Sequence, residues 1–150
     1  MDGPVAWEGV LCGAQQILLV EDEAFVRKVT TEVLEAAGYR VLVARNAAEA
    51  VEISGRCPAP LNLLLTDVVL PGKNGIELAK EISALNREIR VLLISGYAGQ
   101  LALSRSSEVQ EYLAKPFSTQ ALLSKVRQLL EGTGAGGQGE RRLRPAYGDA

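Results

Sequence analysis

The stretch that decides the fold is Leu61–Asp67, with the sequence LNLLLTD, and it is followed by VVLPGKNG over residues 68–75. A mainly apolar run of this length, bounded by residues that favour turns, is typical of a buried strand. The sequence therefore places the carboxylate of Asp67 where a buried strand ends and a turn begins.

Other apolar runs of the chain also end in polar groups. The run Ile17–Val20 precedes the acidic residues 21–23, and two later runs end at Ser95 and Lys115. Four strand ends thus carry acid, acid, hydroxyl and ammonium groups. These are the groups needed for a carboxylate to accept a phosphoryl group in the presence of a divalent cation.

Short apolar runs alternate with longer stretches of helical period along the chain. The pattern predicts strands near residues 16–20, 39–43, 61–66, 89–94 and 110–113, and helices near 23–37, 46–55, 74–85, 98–106 and 117–131. Strands that are apolar throughout and alternate with helices indicate an α/β fold, a doubly wound five-stranded parallel sheet. Ligands of such sheets bind beyond the carboxyl ends of the strands, where all four groups fall.

Composition excludes several classes of protein. A chain of 150 residues, 47% of them hydrophobic, suits a single domain. Its net charge of −2 argues neither for nucleic acid nor for anionic membranes as partners, and we expect it to bind neither directly. The absence of histidine excludes a histidine kinase. Two cysteines without a metal-ligand pattern, no signal peptide and no apolar run of membrane-spanning length indicate a cytoplasmic protein.

The two ends of the chain differ from its middle. We expect a flexible leader over residues 1–15, a single domain over 16–131 and a disordered, glycine-rich tail over 132–150. We find no helix-turn-helix and no catalytic output segment.

The acids Glu21, Asp22 and Asp67 are expected to meet at one edge of the sheet. Three neighbouring carboxylates repel, and a cation such as Mg²⁺, which prefers oxygen ligands, would neutralise them. The alternative for the acids at 21–23 is helix capping, and for Asp67 it is turn formation. The alternative for Lys115 and Ser95 is a solvated lysine and a turn serine.

Two other classes share this chemistry in part. A flavodoxin-like cofactor binder would need a glycine-rich phosphate cradle after the first strand, where Glu21 and Asp22 stand instead. A phosphatase with an aspartyl nucleophile would want a second acid two residues after Asp67, a position that Val69 occupies.

Four motifs resemble those of a known family. They are LVEDE at residues 19–23, LTDVVLPGKNG at 65–75, LISGY at 93–97 and YLAKPF at 112–117. In this order they resemble the receiver domain of two-component response regulators, over residues 16–131. The resemblance implies a flavodoxin-like (βα)5 fold.

The resemblance also implies roles for individual residues. Asp67 would be the phosphoacceptor. Asp67, Asp22 and the backbone carbonyl of Val69 would ligate Mg²⁺ directly, and Glu21 would act through water. Ser95 and Lys115 would contact the phosphoryl group.

In this family a switch couples the hydroxyl at Ser95 to an aromatic residue, here Tyr112. The alternative is that Tyr112 is a half-buried edge aromatic without a switching role. The resemblance further implies a cis Lys115–Pro116 peptide bond, and the sequence SGYAG at 95–99 looks most like receivers of hybrid sensor kinases. Lys73 and Glu21 depart from the commoner family residues, which are an apolar residue and an aspartate.

The resemblance implies a Mg²⁺-dependent phosphoacceptor that is not an enzyme in the usual sense, with at most residual autodephosphorylation. Its partner would be a histidine kinase or a histidine phosphotransfer protein. We expect a monomer or a phosphorylation-dependent dimer. The alternative is a receiver-like interaction module that works without phosphorylation.

Overall fold

The computed structural model describes residues 15–57, 60–96 and 111–132. Five parallel strands form one sheet in the order β2-β1-β3-β4-β5. The strands are β1 Gln16–Val20, β2 Arg40–Ala44, β3 Leu63–Asp67, β4 Arg90–Ser95 and β5 Tyr112–Ala114. The helices of the described residues are α1 Ala24–Ala36, α2 Ala47–Arg56, α3 Gly75–Leu85 and α4 Thr119–Gly132.

The sheet confirms the predicted doubly wound parallel fold. Strand β1 pairs with β2 on one side and with β3 on the other, so the order of strands reverses between β1 and β3. The residues that follow β1 and end β3 therefore flank the crevice where ligands of open α/β sheets bind.

Some predicted boundaries differ from the observed ones. The strand predicted at 61–66 begins at Leu63, because the side chain of Asn62 accepts a hydrogen bond from the Gln16 N–H at 2.7 Å. The predicted helix at 98–106 lies outside the described residues. So do the predicted leader and tail, except for Gln15 and Gly132, and the start of the strand predicted at 110–113.

The core has a layer on each face of the sheet. Ile17 and Leu19 of β1 pack in the layer beneath α1 and α4, whereas Leu18 and Val20 pack in the layer beneath α2 and α3. All four side chains are buried, which explains why the strand lacks alternating polarity. Burying each such side chain contributes about 1.5–3 kcal/mol to folding.

Asparagine caps fix the starts of two helices near the crevice. Asn46 accepts from the Glu49 N–H, and Asn74 accepts from the Glu77 N–H, both at 2.8 Å. Glu23 stands at the N-cap of α1, but its side chain makes no capping hydrogen bond within the described part of the chain. Among the described residues we find no helix with the length and apolar character needed to span a membrane.

Candidate functional site

Three carboxylates meet at the crevice between β1 and β3. Glu21, Asp22 and Asp67 each place a carboxylate oxygen within 4.8 Å of the other two. Glu21 and Asp22 directly follow β1, and Asp67 is the last residue of β3. Glu21 and Asp67 are buried, whereas Asp22 is exposed, so the cluster opens to solvent on one side. The structure thus brings together the acids that the sequence predicted to meet.

The environment of the three carboxylates disfavours their ionised forms. Burial, followed by the charge of Asp67, raises the pKa of Glu21 from 4.5 to about 7. Burial also raises the pKa of Asp67, against the opposing charge of Lys115. A cation coordinated here would relieve the repulsion, and a set of carboxylate oxygens fits the preference of Mg²⁺.

Lys115 supplies a positive charge beside the cluster. It directly follows β5, and its Nζ atom lies 3.6 Å from Oδ1 of Asp67. Its backbone N–H donates to the Ser95 carbonyl at 2.9 Å, which ties this residue to the end of β4. The Lys115–Pro116 peptide bond is cis, as the resemblance implies.

Ser95 and Tyr112 occupy neighbouring strands. Ser95 is fully buried, and its hydroxyl donates to the carbonyl of Gly96 at 3.2 Å. Tyr112 is half-buried and pairs in register with Leu93, two residues before Ser95. It packs against a buried cluster of Val68, Ile76 and Leu93. The ring therefore belongs to the same packed group as Val68, which directly follows Asp67.

The loop after Asp67 is held by backbone contacts. Val69 exposes 56% of its surface and is not part of the core. The Gly75 N–H donates to the Val68 carbonyl at 2.6 Å. A Cβ atom at Gly75 would overlap the carbonyl oxygen of Asp67. The sequence predicted a helix that begins near residue 74, but it gave no sign of this close approach of α3 to Asp67.

Arg27 is a second residue that sequence analysis missed. Its Nη1 atom donates to the backbone carbonyl of Glu21 at 2.8 Å. The sequence pattern does not distinguish this arginine from other helical arginines, most of which face solvent. The backbone N–H of Glu23 also contacts the site, because it donates to Oε2 of Glu21 at 3.2 Å.

A parallel five-stranded sheet with clustered carboxylates at its switch point and a lysine beside them is the arrangement that the four sequence motifs predicted. Residues 17–127 match the model of the response regulator receiver domain, and the chain belongs to this family. The predicted family and fold are thereby confirmed. Members of this family are phosphoacceptor switches rather than enzymes in the usual sense, and they generally bind Mg²⁺ at an acidic pocket.

Individual relatives agree with this assignment. The chain is 34% identical over 119 residues to the response regulator receiver protein CpdR of Brucella abortus, covering 77% of this chain and 97% of that protein. It is also 34% identical over 124 residues to the sensor kinase CckA of the same organism, covering 81% of this chain but only 13% of the kinase. A CheY-like receiver domain from Methanospirillum hungatei superimposes with a TM-score of 0.72 at 26% identity, covering 83% of this chain and all of that one.

Proposed function

We propose that this chain is the phosphoacceptor of a histidine-to-aspartate phosphorelay and that Asp67 carries the phosphoryl group. The observation that supports this most is the meeting of three carboxylates within 4.8 Å, with the Lys115 Nζ atom 3.6 Å from Asp67. This arrangement combines a nucleophile, a set of cation ligands and a positive charge in one crevice.

In the proposed reaction, a carboxylate oxygen of Asp67 attacks the phosphorus of a phosphohistidine on a partner protein. The new O–P bond makes an acyl phosphate, the N–P bond breaks, and the released imidazole takes up a proton. Asp22, Asp67 and the Val69 carbonyl would hold Mg²⁺, with Glu21 acting through water. Bound Mg²⁺ would neutralise charge on the transferring phosphoryl oxygens.

Lys115 and Ser95 would stabilise the phosphorylated state. The ammonium of Lys115 already contacts the carboxylate that reacts, so a short movement would bring it to a phosphoryl oxygen. The Ser95 hydroxyl would exchange its bond to the Gly96 carbonyl for one to the phosphoryl group.

We further propose that this exchange drives the switch. Movement of Ser95 towards the phosphoryl group would vacate space on the face of the sheet that Tyr112 shares. Tyr112 packs against the buried cluster of Val68, Ile76 and Leu93, so its rotation would change the surface around β5. Without phosphorylation the ring would keep the half-buried position seen here.

We propose that residues 16–131 form the domain that performs this function and that the protein works in the cytoplasm. The phosphoryl donor would be a histidine kinase or a histidine phosphotransfer protein. Similarity to a sensor kinase is compatible with a hybrid kinase as the parent protein. Output would pass through a partner's surface or a dimer contact.

The test is intact-protein mass after incubation with acetyl phosphate. We expect one phosphoryl adduct that requires Mg²⁺ and is absent after EDTA treatment and in Asp67→Asn. Asp22→Asn should bind Mg²⁺ weakly and accumulate little adduct. Magnesium binding without any adduct would instead favour the phosphorylation-independent interaction module.

A further inference from the structure

The main chain of Glu21 is held on both sides. Its N–H donates to the Ala44 carbonyl of β2 at 3.0 Å, and its carbonyl accepts from Arg27 Nη1 at 2.8 Å. The Glu23 N–H restrains the side chain through Oε2 of Glu21. Of these bonds, the one from Arg27 is the only one made by a side-chain donor, so a substitution can remove it without altering the backbone.

We propose that Arg27 is a positioning residue for the cation site formed by the acid cluster. The inference rests on the proposed function, because that function supplies the cation. The hydrogen bond of Arg27 goes to the Glu21 carbonyl, which is not one of the proposed ligand atoms. It acts on the peptide unit that joins Glu21 to Asp22 and thereby sets the direction in which the Asp22 side chain leaves the main chain.

Asp22 needs such support because it is the exposed member of the cluster. Burial restrains the side chains of Glu21 and Asp67, whereas the Asp22 carboxylate lies at the surface. Mg²⁺ requires nearly ideal octahedral geometry, so a displaced carboxylate weakens binding. A half-buried guanidinium with several donors in a rigid plane is well suited to fix a carbonyl oxygen.

Arg27 also links two elements that border the crevice. Glu49 in the first turn of α2 has a lowered pKa, mainly because of hydrogen bonds from Arg45 and in part because of the charge of Arg27. The charge of Arg27 thus acts on the first turn of α2, whereas its hydrogen bond goes to the acid loop.

The geometric and the electrostatic effects of Arg27 have opposite signs. Removing a positive charge near a cation site strengthens cation binding, whereas loosening the Asp22 backbone weakens it. The neighbouring Lys28 offers a matched control, because it also carries a positive charge on α1 but is 73% exposed and pairs with Glu32 at 3.3 Å. Its substitution changes the charge alone.

The experiment is calorimetric titration of the full chain with MgCl₂ in the absence of any phosphodonor. We expect Arg27→Ala to bind Mg²⁺ about tenfold more weakly, the lower end of the range for removing outer-shell hydrogen-bond partners. Arg27→Lys, which keeps a donor, should recover most of the affinity, and Lys28→Ala should match the wild-type chain. Equal affinity of Arg27→Ala and wild type, or tighter binding by both alanine variants, would overturn the proposal.

Two further measurements keep the result interpretable. If Arg27→Ala does not fold, Arg27→Met retains the apolar stem without the donors and is expected to show the same tenfold loss, about 1.4 kcal/mol. Wild-type Mg²⁺ binding tests the proposed function separately. If wild type binds Mg²⁺ and Arg27→Met binds it equally well, only the role of Arg27 is refuted.

Discussion

The Nζ atom of Lys115 lies 3.6 Å from Oδ1 of Asp67, and both residues stand directly at the ends of strands. The side chain of Lys115 is 45% exposed, whereas that of Asp67 is 11% exposed. An ammonium in this position lowers the free-energy cost of burying the ionised carboxylate. It can also bind the phosphoryl oxygens as they approach Asp67. The pair is therefore the natural starting point for mutational tests.

Lys115→Ala is expected to slow phosphorylation of Asp67 by about 100-fold, comparable to the removal of one transition-state hydrogen-bond donor. The rate would be measured by intact mass with acetyl phosphate and Mg²⁺. Lys80→Ala, which removes an exposed lysine from α3, is the control and should react as wild type does. Equal rates for the two variants would refute the role of Lys115.

The raised pKa of Glu21 predicts a pH-dependent stability of the metal-free protein. Because the pKa of Glu21 in the folded chain, about 7, exceeds its ordinary value of 4.5, Glu21 stabilises the fold fully below about pH 4.5 and loses that contribution as the pH rises through about 7. In EDTA, Glu21→Gln should therefore gain stability relative to wild type between pH 5 and pH 8, by roughly 1–2 kcal/mol.

Urea unfolding at the two pH values measures this difference. Saturating Mg²⁺ should remove the stability advantage of Glu21→Gln at pH 8, because the cation stabilises the ionised carboxylates of the wild-type chain. Glu23→Gln replaces the exposed acid two residues further on and serves as the control. A pH-independent difference between Glu21→Gln and wild type would contradict the assigned electrostatics.

Gly75→Ala should destabilise the protein by about 2–3 kcal/mol, as overpacking against a fixed backbone does. The added Cβ atom would overlap the Asp67 carbonyl oxygen and approach the Val68 Cα atom to 3.1 Å. Gly55→Ala is the matched control, because Gly55 lies in α2 and a Cβ added there meets no described atom outside its own helix within 4 Å. The control should gain about 0.5–1 kcal/mol from helix propensity.

The urea midpoints of these two alanine variants should therefore move in opposite directions. If both variants were stabilised, α3 would not approach Asp67 as closely as the structure indicates.

Lys125 and Glu111 form a buried ion pair at 3.3 Å that joins α4 to the start of β5. Lys125→Ala would remove this cation from a carboxylate whose side chain is only 10% exposed, with an expected loss of about 3–5 kcal/mol. The exposed pair Lys28–Glu32 has the same N–O distance, 3.3 Å, and Lys28→Ala should cost no more than about 0.5 kcal/mol. Urea unfolding measures the free energy of unfolding of each variant. Similar losses of that free energy in both variants would contradict the effect assigned to burial.

Local patterns predicted the strands and the acids of the site well, because parallel strands buried on both faces leave uninterrupted apolar runs. The residues that end such runs, among them Asp67 and Glu21, must then meet at one edge of the sheet. Arg27 and Gly75 could not be found in this way. Both residues matter because they contact the backbone of another segment. Neither hydrophobic periodicity nor turn preference predicts contacts of this kind.

The most direct test of the central claim is to locate the phosphoryl group by trapping. Hydroxylamine converts an acyl phosphate to a stable hydroxamate, and trypsin would then release residues 57–73 as CPAPLNLLLTDVVLPGK, in which Asp67 is the only carboxylic acid side chain. The account predicts a hydroxamate on this peptide that requires both Mg²⁺ and the phosphodonor and is absent in Asp67→Asn. A hydroxamate on a different peptide, or none despite bound Mg²⁺, would contradict it.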